Sequence, residues 1–93
     1  MNVTDKNIET ALKVNGFTSY SIGEGKLMLT ELMAKVSSNC YVSYTEKNFI
    51  NEFNVLNCDK KISKKGSRFL LEMLYADSNR RPLIYELMTK HRR

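Results

Sequence analysis

The stretch SIGEGKLMLTELMAKVS, residues 21–37, decides the fold. Ser21-Ile22-Gly23-Glu24 opens it as a capping box. The serine hydroxyl and the glutamate carboxylate, three residues apart, each take a backbone N–H that the first helical turn leaves without a partner. Leu29, Leu32, Met33 and Val36 then recur at the spacing that aligns side chains along one helix face. Ser37-Ser38-Asn39 ends the run, so a helix is predicted over 22–37 with an apolar stripe that needs covering.

The flanking segments have the same design. Thr4 and Asp5 are N-cap residues, Ile8, Ala11 and Leu12 follow at helical spacing, and Asn15-Gly16 supplies a stop that tolerates positive φ. This predicts a helix over 5–15. Cys40-Tyr41-Val42-Ser43-Tyr44 reads as a brief extended link, and Ser43 with Glu46 forms a second capping box. A third helix is predicted over 44–56, with Phe49, Ile50, Phe53 and Leu56 on one face and Asn57-Cys58-Asp59 as its break. Ser63 caps a fourth over 64–76, carrying Phe69, Leu70, Met73 and Leu74 inward. Asp77-Ser78-Asn79 breaks the chain again. Pro82 falls in the first turn of a fifth helix over 80–91, where its missing N–H is tolerated. No segment alternates as a strand does. The sequence therefore predicts an all-α fold, a compact bundle of four or five short helices in a single domain over residues 1–93.

Composition fits that reading. Ninety-three residues hold one core, and 42% hydrophobic content with a single proline argues against disorder. No long apolar run is present, so no membrane span is predicted, and no secretory h-region follows Met1. Cys40 and Cys58 form no Cys-x-x-Cys motif, and with His91 they make no plausible four-ligand zinc site. Reduced, packed cysteines in a cytoplasmic protein are expected.

Catalysis has little to build on. His91 is the one histidine, and the acids Glu24, Glu31, Glu46 and Glu52 are accounted for by helix caps and exposed faces. Gly16, Gly23, Gly25 and Gly66 form neither a Walker loop nor a dinucleotide fingerprint. The expectation is a binding protein, not an enzyme, with no cofactor, no metal and no small-molecule substrate.

Charge narrows the partner. Residues 60–93 carry ten Lys and Arg against three acids, whereas residues 1–59 carry five lysines against seven acids. A basic C-terminal half suits a polyanion or an acidic protein. Lys60, Lys61, Lys64, Lys65 and Arg68 straddle the start of the fourth helix, whose backbone N–H groups also favour phosphate. The third and fourth helices read as an irregular helix-turn-helix with 64–76 as the reading helix. Arg80, Arg81, Lys90, Arg92 and Arg93 bracket the fifth helix, whose apolar stripe is Leu83, Ile84, Leu87 and Met88. That stripe docks on the bundle, grips a partner protein or lies on a membrane surface. Tyr75 and Tyr85, inside the basic half, either stack on bases or cover an interface.

The Leu-rich helix ending at Leu32-Met33, the polar turn Ser37-Ser38-Asn39, the helix start Lys47-Asn48-Phe49-Ile50 and the closing run Phe69-Leu70-Leu71-Glu72-Met73-Leu74 carry a resemblance. Through them, residues 27–75 resemble the small enterobacterial biofilm and acid-resistance regulators of the YmgB/AriR type. The chain departs from that pattern in its Arg-rich segment from Asn79 onward and in Lys60-Lys61. The resemblance implies a helical dimer that regulates through protein contacts or DNA, and no site residue is carried over from it.

Two functions follow from the sequence. The first is a small regulatory homodimer binding nucleic acid, DNA rather than RNA, through Lys60, Lys61, Lys64, Lys65, Arg68, Arg80 and Arg81. The alternative is an adaptor or inhibitor, of host or phage type, gripping an acidic protein through helix 80–91 with Leu83, Ile84, Leu87 and Met88.

Overall fold

Four hydroxyl side chains start four of the five helices in the computed structural model, which describes residues 2–90. Thr4 accepts from Asn7 N and begins α1 (Asp5–Val14), and Ser21 accepts from Glu24 N and begins α2 (Ile22–Ser37). Ser43 accepts from Glu46 N to begin α3 (Tyr44–Asn51), and Ser63 accepts from Gly66 N to begin α4 (Lys64–Ala76). A 3-10 turn, Ser78–Arg80, leads into α5 (Arg81–Lys90). Both predicted capping boxes close, because Glu24 accepts from Ser21 N at 3.0 Å and Glu46 from Ser43 N at 2.9 Å. The backbone N–H donated to each carboxylate holds both glutamates below their ordinary pKa.

The predicted stops of the first two helices hold as well. Gly16 takes φ of +83°, and Phe17 N donates back to Leu12 O at 2.8 Å. Asn39 does the same for α2 at φ of +59°, with Cys40 N donating to Lys35 O. Residues 40–43 form an irregular link.

Helix α2 is the hub. It packs against α1, α3 and α5, while α4 pairs with α5. Between them Ile8, Leu12, Leu29, Met33, Phe49, Phe69, Leu70, Ile84 and Leu87 close one buried core. Phe17, Phe49 and Phe53 meet edge to face, with centroids 5.8 and 5.4 Å apart. Each such side chain contributes about 1.5–3 kcal/mol when fully buried.

The third helix is shorter than its apolar period predicted. It ends at Asn51, not near residue 56. Asn54 turns to φ of +52°, and Val55-Leu56 run extended against Ile62-Ser63 through an antiparallel bridge between Leu56 and Ile62. Ser63 N donates to Val55 O at 3.0 Å and Ser63 Oγ to Asn54 O at 2.7 Å. Phe53 and Val55 are buried all the same. Past Phe53 the predicted spacing fails, since Val55 is buried and Leu56 only half-buried, on a loop that the first turn of α4 rests against.

That loop excludes the predicted helix-turn-helix. Twelve residues, 52–63, separate α3 from α4, and α3 packs principally on α2. No strand forms among the described residues, and no helix among them is long and apolar enough to cross a membrane. The predicted helix end at His91 lies outside the described residues, as do Arg92 and Arg93.

Candidate nucleic-acid interface

The basic connector is built around Gly66. A Cβ at this position would lie 2.2 Å from Val55 O and 3.1 Å from Ile62 Cγ2, so only glycine lets the first turn of α4 rest on the 54–63 loop. Ser63 holds the same joint, capping α4 while donating to Asn54 O. The loop tip is tightened by Asn57 N donating to Lys61 O at 2.7 Å and by Lys60 at φ of +64°. Lys60 and Lys61 lie on the loop that leads into α4, with the Lys60 ammonium turned to Asn39 at the end of α2.

Lys60, Lys64, Lys65 and Arg68 are exposed, and Lys61 is half-buried. Among the described residues none of the five is in an ion pair; those found are Lys13–Glu9, Lys26–Asp5 and Arg80–Glu31. Lys60 Nζ donates to Asn39 Oδ1, a neutral partner that leaves its charge uncompensated. Asp59, exposed on the loop, accepts from Lys61 N at 3.3 Å. Lys65 and Arg68 share a cleft of about 210 Å³ with Asn2, Val3, Phe69 and the acid Glu72, apart from the hollows that Lys60 lines.

The arginine pair is used differently. Arg80 Nη2 meets Glu31 Oε1 at 3.0 Å, fastening the entry of α5 to α2. Arg81 Nε donates to Leu74 O at 2.7 Å, satisfying a carbonyl of the last turn of α4. The structure therefore separates Arg80 and Arg81 from the lysine cluster with which the sequence grouped them. Both hold the α4–α5 corner.

The predicted partner-gripping stripe also changes role. Ile84 and Leu87 are 0% and 1% exposed, and Leu83 and Met88 are half-buried against the core. Of the three placements open to this helix, docking on its own bundle is the one observed. Ile84 and Leu87 cannot anchor another protein while they fill this core.

Other side chains were placed less well by the sequence. Cys40 and Cys58 were expected to be packed, yet both are exposed. They edge two adjoining hollows that share Val36, Lys47, Ile50, Asn51 and Lys60. Among the described residues no group of three or more His, Cys, Asp or Glu is arranged to hold a metal ion.

The outward face of α4 went unnoticed in the sequence, although helical spacing contains it. Lys64, Arg68, Leu71 and Tyr75 stand at i, i+4, i+7 and i+11, opposite the buried Phe69, Leu70 and Met73. Leu71 is 47% and Tyr75 85% exposed. The stripe thus runs from two cations to two apolar side chains.

No family model matches the chain, and no curated protein or solved structure matches it.

Proposed function

We propose that this chain is a small regulatory protein that binds nucleic acid, DNA in the first instance, by phosphate contacts from Lys60, Lys61, Lys64, Lys65 and Arg68. The observation that carries the reading is that, among the described residues, none of these five is in an ion pair, while Arg80 is paired with Glu31. Cations that outnumber acids along a segment concentrate positive potential, here five against Asp59 and Glu72 over residues 59–72, and that potential attracts the phosphate backbone irrespective of base sequence. Lys64 and Lys65 also occupy the first turn of α4, where the helix dipole adds to their charge.

Such binding releases counterions, so each phosphate neutralised steepens the fall of log K with log salt by about 0.9 on duplex DNA. Titrating labelled DNA at about 50 mM and about 200 mM salt tests the reading, with a loss of roughly ten- to a thousand-fold expected for three to five contacts. Failure to bind any duplex or single strand at the lower salt would reject it.

A further inference from the structure

We infer that the nucleic acid taken by this surface is single-stranded, with Tyr75 as the side chain on which a base stacks. The inference rests on the phosphate-binding reading above and names the form of its ligand. Its basis is the order of side chains along the outward face of α4. Lys64 and Arg68 occupy the first turns, Leu71 and Tyr75 the later ones, and all four lie on one stripe. Eleven residues of helix place Tyr75 about 16 Å along the axis from Lys64. A strand following that axis spans several phosphates and brings its bases to the tyrosine.

Tyr75 is 85% exposed, as Tyr41 and Tyr44 are at 87% and 81%, but of these three it alone stands on the α4 stripe with Lys64 and Arg68. It is in none of the ring contacts seen among the described residues, which join Phe17, Tyr20, Phe49 and Phe53. A duplex has no use for such a ring, because its bases already stack on one another. Docked along α4, a duplex would set its charged phosphates against Leu71 and the Tyr75 ring, where they would lose water without a compensating partner. A single strand offers a bare π-face at every base, and base–aromatic stacking is tolerant of sequence. Leu71, 47% exposed one turn earlier, gives the sugar or base edge an apolar floor.

A second copy of the chain is a poorer occupant. The apolar part of the stripe is two side chains, well short of the roughly 800 Å² per partner that a stable interface buries. The rest of the stripe is cationic.

The test compares an oligothymidylate of about 20 nucleotides with a mixed-sequence duplex of equal length by fluorescence anisotropy at low salt, using the full chain. The expected result is tighter binding of the single strand and a loss of about five-fold or more in its affinity with Tyr75→Ala. Duplex affinity should be unmoved by that change, and Tyr75→Phe should keep the ring and the single-strand affinity. Because Tyr75 is exposed, circular dichroism should find the variants folded. Equal affinity for both forms with Tyr75→Ala silent, while Lys64→Gln with Lys65→Gln still weakens both, would overturn the single-strand inference and leave phosphate binding standing. So would sedimentation showing that Tyr75→Ala splits a dimer without changing binding. No binding of either form would remove the underlying reading as well.

Discussion

The lysine-rich connector at residues 60–68 and the arginine pair at 80–81 look alike as charge, but their neighbours give them opposite uses. Arg80 reaches Glu31 on α2 and Arg81 reaches the carbonyl of Leu74, so the planar guanidinium serves as a fixed internal tie. Among the described residues, the lysines and Arg68 meet no acid within ion-pairing distance. A count of positive residues measures the potential around a protein, whereas the contacts each one makes decide which are left to act on a partner.

That comparison is exposed to attack from the arginine side first. Helix α5 is part of the core through Leu87, 1% exposed, so Leu87→Ala should cost about 2–5 kcal/mol, read as a lower urea midpoint. Leu87→Asp should unfold the protein, since it buries an unpaired charge. A folded Leu87→Asp variant that had merely lost a partner would restore the adaptor reading for this helix. On the lysine side the critical position is Gly66, where a Cβ would fall 2.2 Å from Val55 O. Gly66→Ala should cost about 1–3 kcal/mol by overpacking and displace the 54–63 loop, visible in amide exchange of Val55 and Ser63. Wild-type stability in that variant would mean that Lys60 and Lys61 are not positioned by this joint.

The helices were legible because their signals are local: a capping hydroxyl, an apolar period and a residue that accepts positive φ. The end of α3 was not, because what stops it is distant. Asn54 takes its left-handed turn where Ser63, nine residues on, donates to its carbonyl, and Val55 pairs with the same serine. Phe53 and Leu56 satisfied a helical period while belonging to a loop. The fate of Arg80 was equally hidden, since Glu31 is 49 residues away in sequence. Ser63 and Gly66 were readable as a cap and a glycine, but their shared role in carrying the basic loop needed the contact with Val55. Tyr75 is legible by its place in the basic half, but all five tyrosines are exposed, and only the helix register puts Tyr75 in line with Lys64 and Arg68.

Smaller effects sharpen the same contrast. The Arg80–Glu31 pair is partly exposed on both sides, so Arg80→Ala should lower stability by only about 0.2–1 kcal/mol. Acidification gives a further small signal. Glu46 has its pKa lowered in the fold first by the N–H of Ser43, so its contribution is present at neutral pH and is lost as pH falls through that lowered value. Glu46→Gln should flatten the acid limb of a stability profile in that range.

The most direct measurement is the salt dependence of DNA affinity in three forms of the full chain: unaltered, Lys64→Gln/Lys65→Gln/Arg68→Gln, and Arg80→Gln. If the lysine-rich surface is the interface, the triple substitution flattens the log–log slope by about 2–3, and Arg80→Gln leaves it nearly unchanged. Equal flattening by Arg80→Gln, or a slope that the triple substitution does not move, would contradict the division between the two basic regions.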